Sequence, residues 1–470
     1  MTADQRRLAI ASLTGLLLCG AATGALAQAV QTAQPAPSGI SQEQALAFAA
    51  RLDALERRNE ALEERNEALE QQILDLKTQT AAGQQSIREE VHATTVSLNN
   101  GRPTFATGDG QFTASLRGVL QLDSAYYDQA AAGPLATDYR RGSFGDATEA
   151  DHARDLGSGA NFRRARIGIE GKAFGDWNYS FLYDFGGGPP EDVGKISQAW
   201  FEYAGFAPFR LRVGAFSPPS GIEEATSTNG SLFLERASPS ELVRSIASGD
   251  GRKAAGIFGN GERWNISAAV SGNVVGTSTF DHQLGFVGRA AYVPFKGLDW
   301  LVHVGVNTEI VINPASTGPQ VPGGAPTTIR LRDRPEIRVD ATRLVDTGAI
   351  DADGLRSVGG ELAAQYRAWS VQGEYWRIDV DRRASALANP HFSGWYVQGA
   401  WTITGQPRRY NIATATFDPP KVDKPFGLHG GGPGVWELAV RWSDLDLNYL
   451  AGAPGTAPVA SAIRGGEQKI

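Results

Sequence analysis

Two hydrophobic periods divide this chain, one of seven residues and one of two. Over residues 41–77, Phe48, Leu55, Leu62, Leu69 and Leu76 recur at every seventh position, with Ala45, Leu52, Asn59, Asn66 and Ile73 three positions before them. That a/d spacing predicts a helix with one narrow seam, and RNEALE, present at 58–63 and again at 65–70, leaves the remaining faces charged. A single amphipathic helix docked on a domain would also carry a stripe. Five consecutive d positions favour a self-associating coiled coil, with core residues Leu52, Leu55, Asn59, Leu62, Asn66, Leu69, Ile73 and Leu76. The two asparagines at a positions cost stability and fix register; dimer and trimer both stay open.

Beyond a polar linker to about residue 100 the period becomes two. Leu116, Gly118, Leu120 and Leu122 alternate with Ser115, Arg117, Val119, Gln121 and Asp123. The same holds for Trp177, Tyr179, Phe181, Tyr183 and Phe185, for Trp395, Val397, Gly399, Trp401 and Ile403, and for Trp436, Leu438, Val440 and Trp442. Each run predicts a strand with one apolar and one polar face. Fourteen such segments are expected, near 112–128, 161–174, 177–185, 195–203, 209–216, 252–259, 263–272, 283–293, 299–309, 328–334, 357–366, 369–380, 392–404 and 434–445. Short links such as 175–176 and 367–368 alternate, roughly, with long Gly/Pro/Asp-rich loops such as 129–160 and 310–327.

A soluble sandwich would alternate too. Aromatics at the ends of the apolar faces, strands of ten or more residues and this turn asymmetry fit a transmembrane β-barrel better. The fold must then be closed, because an unpaired backbone group in lipid costs several kcal/mol. With fourteen or more strands the interior is too wide for side chains to fill, so an aqueous channel is expected. The 216–237 stretch, FSPPSGIEEATSTNGSLFLERA, is far longer than a hairpin needs and is read as a loop folded inward to narrow that channel.

Composition and targeting signals agree. The 470 residues hold 56 Gly, 20 Phe, 12 Tyr and 10 Trp at 41% hydrophobic content, as one large β structure would. Arg6 and Arg7 precede an apolar run from Leu8 to Leu18, and Ala25-Leu26-Ala27 supplies a cleavage site, so 1–27 reads as a secretory signal peptide. Leu18 before Cys19 disfavours a lipoprotein. Cys19 is the only cysteine, which leaves the mature chain without disulfides. The expected layout is a signal peptide at 1–27, a periplasmic segment with the coiled coil at 28–100 and an outer-membrane barrel at 101–470. The net charge of −7 argues against a nucleic-acid partner.

Several stretches resemble the phosphate-selective porin O/P family: NFRRARIGIEGKAFGDWNYSFLYDF at 161–185, the surroundings of SGIEEATSTNGSLFLERA, RLRDRPEIRVD at 330–340, GWYVQGAWTITGQPRRY at 394–410 and GVWELAVRWSDLDLN at 434–448. The resemblance runs from about residue 110 onward. It implies a homotrimer of sixteen-stranded barrels in a Gram-negative outer membrane, passing small solutes, with anion or phosphate preference in some members. Two departures stand out. Similar chains continue for another hairpin after a GGEQ-like turn, so the expectation is either a truncated product or fourteen strands closing alone, with heat-modifiable migration lost until a terminal hairpin is added. Of the charges that the family implies at the eyelet, Arg163, Arg164, Asp184 and Arg236 match. Val119 stands where an arginine is expected, with Arg117 two residues earlier, and Glu224 stands where a lysine is expected.

After residue 100 there are 39 acidic and 36 basic side chains, so local placement decides selectivity. By parity Arg164, Arg166, Arg210 and Arg212 share the inward face and would form a basic wall opposite Glu223 and Glu224, giving a transverse field. In the alternative they pair with Glu170, Glu202 and Asp184 and only brace the wall. Arg330, Arg332 and Arg334 are read as a basic ladder or as a solvated mouth. The expected selectivity set is therefore Arg163, Arg164, Arg166, Asp184, Arg210, Arg212, Glu223, Glu224 and Arg236.

No enzyme, cofactor or metal is expected. There is no G-x-S-x-G to accompany the glycines at 430–432, the six histidines lack metal-ligand spacing, and no P-loop occurs. Two other functions compete: a membrane anchor whose coiled coil binds cell wall or a partner, and a carbohydrate-specific channel. The latter would need a row of inward aromatics, whereas parity turns most tryptophans outward with Trp376 an exception.

Overall fold

The computed structural model describes residues 41–92, 94–99, 101–128, 156–187, 194–316, 318, 327–340, 342–453 and 456–470. The expected signal peptide, the lead to residue 40 and most of the 129–160 loop lie outside these. The chain divides into two units, 1–89 and 90–470. In the first, helix α1 (Gln42–His92) runs well past the expected end at 77, and its seam is open: Leu52, Leu55, Leu62, Leu69, Ile73 and Leu76 are all exposed.

The second unit is dominated by one antiparallel sheet of seventeen strands among the described residues. Sixteen follow one another as a meander: β1 (Thr94–Asn99), β2 (Arg102–Thr107), β3 (Thr113–Ala125), β4 (Gly159–Ala173), β5 (Trp177–Asp184), β6 (Lys195–Phe206), β7 (Phe209–Ala215), β8 (Arg252–Asn260), β9 (Trp264–Val274), β10 (Leu284–Lys296), β11 (Trp300–Asn313), β15 (Ile350–Tyr366), β16 (Trp369–Arg382), β17 (His391–Thr402), β20 (Glu437–Tyr449) and β21 (Ile463–Lys469). The short β12 (Thr328–Ile329) pairs beside β15. Two small ribbons, β13 (Arg332–Asp333) with β14 (Val345–Asp346) and β18 (Arg409–Asn411) with β19 (Thr416–Asp418), complete the set.

Thirteen of the fourteen expected segments fall on meander strands. The segment at 328–334 is corrected: it forms only two-residue pieces in a connection that turns inward. Its alternation sets Ile329 and Leu331 into a core and the intervening Arg330 toward solvent, so the period of two is real but belongs to no wall strand. The β1–β2 hairpin lies partly where a linker was expected, and β21 follows the last expected strand.

Alternation along the wall strands separates the two faces. Leu120, Leu122, Ile167, Val306, Leu362 and Val440 are exposed on one side. Trp177, Tyr203, Trp300, Trp369 and Trp401 gather at the ends with short turns, with Trp369 and Trp401 stacked at 5.2 Å. This is the distribution of a sheet whose outer surface is apolar and rimmed by amphipathic rings. Trp376 faces the other way, 1% exposed, with its indole N–H donated to Asn307 at 2.9 Å. It lies in the packed core, not in an aromatic row.

That core forms where the long connections turn onto the inner face. Helix α3 (Ser238–Ala247), which has a proline in its first turn, buries Leu242, Val243 and Ile246. They belong to one cluster with Val287, Val311, Leu355, Ile378, Phe392 and Leu445 from six strands and with Leu331 and Val345 of the 314–349 connection. Strands far apart in the chain thus converge on one helix, and the sheet curls around it. A second cluster joins Ile222, Val293, Leu301, Ala363 and Phe417. Phe417 comes from 403–436, a long connection at the end where the other turns are short.

Candidate functional site

The 216–251 connection supplies the site. Buried Phe216 and a pair of prolines lead to Gly221, where a Cβ would collide with the Glu374 carboxylate of β16. That carboxylate accepts the Ile222 and Glu223 N–H groups at 2.8 and 3.2 Å and the Tyr396 hydroxyl at 2.7 Å. The short helix α2 (Ile222–Ala225) is thereby tied to the wall. Backbone donors at a helix start want an acceptor, and here the wall provides it.

Charged side chains of the loop meet those of the wall pair by pair. Glu235 receives both Arg163, which bonds it through two nitrogens, and Arg164 at 3.5 Å, and lies 3.7 Å from Arg338. Arg166 reaches Asp184 at 2.6 Å and Asp250 at 2.7 Å. Glu224 holds Arg244 at 2.5 Å and Arg236 at 3.1 Å, and accepts the Ser217 hydroxyl. Arg244 also meets Glu241 and Asp250, each at 3.2 Å, while Arg338 bonds Glu241. Arg441 of β20 contacts Glu223 at 3.4 Å and bonds Glu336. Six guanidiniums and five carboxylates are thereby joined in one network, and Arg441 with Glu223 and Glu336 forms a second group that adjoins it through the Arg441 bond to the Glu235 carbonyl at 3.0 Å.

Burial sets the protonation of the loop acids. Glu241 and Asp250 lose hydration, but Arg244 with Arg338 at the first and Arg244 with Arg166 at the second hold both well below the usual carboxylate range. The same acids, with Glu224, keep the Arg244 guanidinium well above its ordinary value despite burial. For Glu223 burial wins over Arg441, Arg236 and the Ala237 N–H, raising it to about 7. Asp333 is likewise raised to about 7 by burial, against the Ser238 hydroxyl. A raised acid favours the folded form below its ordinary pKa, and that contribution is lost as pH rises through about 7. Between pH 6 and 8 Glu223 gains its negative charge, so the reversal potential in a salt gradient should move toward cation preference. Glu223→Gln should flatten that change; an equal pH dependence in the variant would exclude Glu223 as its source.

Beside the loop tip, Ser227, Thr228 and Asn229 border a polar cavity of about 550 Å3 whose wall side carries Arg102, Arg117 and Arg166. Arg102 and Arg117 both bond Glu170, at 2.5 and 3.0 Å.

The structure brings Arg163, Arg164, Arg166, Asp184, Glu223, Glu224 and Arg236 into this network or its edge. Arg212 instead pairs with Glu202 at 2.7 Å and lies 4.2 Å over Trp200, and Arg210 reaches Asn260 at 3.5 Å. The four arginines thus do not stand as a wall facing Glu223 and Glu224. Glu235, Glu241, Arg244, Asp250, Glu336, Arg338 and Arg441 were missing from the expected set, because parity within a strand does not reveal partners from other connections. Glu235 precedes Arg236 inside the singled-out loop, the one signal that pointed to it.

The family model described as phosphate-selective porin O and P matches residues 136–462. Porin O of Pseudomonas aeruginosa is 28% identical over 364 residues, covering 73% of this chain and 74% of that protein. An uncharacterized protein of Caulobacter vibrioides is 26% identical over 359 residues, 74% of this chain and 64% of its own length. Among solved structures, OmpT of Vibrio cholerae in its trimer form overlaps 62% of this chain and 94% of its own at 8% identity, with a TM-score of 0.28. Salmonella typhi OmpF in complex with daunomycin overlaps 74% and 99% at 10% identity, with a TM-score of 0.30.

Proposed function

From a chain that belongs to the phosphate-selective porin O and P family and is an outer-membrane porin channel, we infer a water-filled passage of mixed charge selectivity, narrowed by the 216–237 loop. The observation that carries this reading is the pairing at the loop. Glu235 answers Arg163 and Arg164, and Glu224 answers Arg236 and Arg244, so the cations that would attract phosphate are compensated within the protein. Small hydrophilic solutes and ions pass along the polar cavity between the loop tip and β2–β4. A permeant anion there meets arginines whose charge is already shared with Glu170, Asp184 and Asp250.

In planar bilayers this predicts stable conductance, a cation-to-anion permeability ratio within about threefold of one, and little block by phosphate; a threefold ratio corresponds to about 0.65 kcal/mol. Strong anion preference with block by low phosphate would overturn the mixed-selectivity reading.

Against the expected loss of heat-modifiable migration, which rested on fourteen strands, the sixteen-strand meander supports a wall that closes in the membrane, since an open edge would leave a row of backbone groups unsatisfied in lipid. Unboiled protein should therefore migrate faster in denaturing gels than boiled protein, and identical migration would count against closure. The helix is placed in the periplasm as a coiled coil between copies of a homotrimer. Deleting 41–77 should leave single-pore conductance and solute uptake intact; loss of attachment to the cell wall or a partner as the main defect would favour the anchor reading.

A further inference from the structure

We propose that α1 packs against the same helix of other copies of this chain, all parallel and in register. This rests on the coiled-coil reading above and adds its orientation. The seam is unpartnered in the described unit: Leu52, Leu55, Leu62, Leu69, Ile73 and Leu76 are each 46–61% exposed.

The positions beside that seam select the partner. With Leu52 at a and Leu55 at d, the g positions are Arg51, Arg58 and Arg65, and the e positions are Glu56, Glu63 and Glu70. In a parallel assembly each g side chain faces the e position of the next heptad on its neighbour, which pairs Arg51 with Glu56, Arg58 with Glu63 and Arg65 with Glu70. An antiparallel assembly sets g beside g and e beside e, arginine on arginine and glutamate on glutamate. Helices of one sequence therefore attract in one orientation and repel in the other.

Asn59 and Asn66 give a second, independent reason. In a parallel assembly a positions share a layer, so each asparagine meets its own copy and the amides bond across the axis. In an antiparallel one a layers against d, leaving both amides among leucines. A slip of one heptad would keep only one asparagine layer, which fixes the register.

Cysteine placed at one d and one a position in the full-length chain reads both features, since Cys19 in the expected signal peptide is the only native cysteine. Leu55→Cys and Ile73→Cys should each cross-link to themselves on oxidation. Co-expressed, they should give no mixed product, because the two positions lie about 27 Å apart along the helix. Arg58→Glu with Arg65→Glu should remove most of the cross-linked product, and adding Glu63→Arg with Glu70→Arg should restore it. Mixed 55–73 cross-links without self-cross-links would overturn the parallel arrangement while keeping self-association, since an antiparallel pair sets that d position against that a position. Absence of any cross-link in helical protein would overturn self-association itself.

Discussion

Replacing Arg289 with methionine is expected to loosen the 403–436 connection and raise conductance. Arg289 on β10 and Glu361 on β15 are buried together, joined at 2.9 and 2.8 Å. The same guanidinium donates to the carbonyls of Thr414 and Ala415 at 2.7 and 3.0 Å, so one side chain fastens the connection to two wall strands. Glu361 would keep Asn307 at 2.9 Å and His303 at 3.3 Å. Breaking a buried pair from one side costs about 3–5 kcal/mol, because a desolvated charge is left behind. The carbonyls lose their donors as well. The Asn265 amide, which bonds the carbonyls of Ile412 and Ala413 at 3.0 and 2.9 Å, remains, so the connection should become mobile without leaving the wall altogether. Larger and noisier single-channel currents and faster proteolysis within 403–436 are the expected readouts. Unchanged currents and unchanged cleavage would show that the connection does not obstruct the passage.

Glu235→Gln is expected to turn the channel toward anions. The substitution preserves shape but removes the charge that Arg163, Arg164 and Arg338 share. One unit charge about 6 Å from a permeant ion is worth about 0.7 kcal/mol at water-like screening and about 2.8 kcal/mol at protein-like screening. The permeability ratio should therefore fall by about 3- to 100-fold, read from the reversal potential in a chloride gradient. Phosphate block should appear with it. Glu202→Gln, outside the loop's ion pairs, serves as the contrast: its partner Arg212 stays beside Trp200, Phe216 and Phe258, and the ratio should hold. A Glu235→Gln channel with the parent ratio would remove the loop pairing as the determinant of selectivity.

The wall was legible because lipid and water impose opposite demands on successive side chains, and that demand survives in runs such as 177–185 and 395–403. Legibility failed where neither solvent sets the pattern. Residues 328–334 alternate for a different reason, with Leu331 packed against α3 and Arg330 bonded to Asp346. The Ile463–Lys469 strand carries two glycines and few apolar residues, so it gave no alternation to read. At the loop, sequence parity identified Arg164 and Arg166, the family resemblance added Arg163, and Asp184 was named as a partner, but Glu235 and Asp250 were not. Asp250 and Glu241 come from the same connection by a turn of helix, and Arg338 and Arg441 from connections and strands far along the chain. Pairings of that kind are made by tertiary closure and have no local period.

The attachment of α2 separates where the loop sits from what it carries. Glu374 grips backbone N–H groups and Gly221 lets the chain approach, so the side chains at 223, 224 and 235 do not themselves fix the loop at that point. A loop so anchored can exchange the charges beyond α2 while that turn stays on the wall. Relatives on this scaffold can therefore diverge in what they admit through a few side-chain changes, without redesigning the constriction.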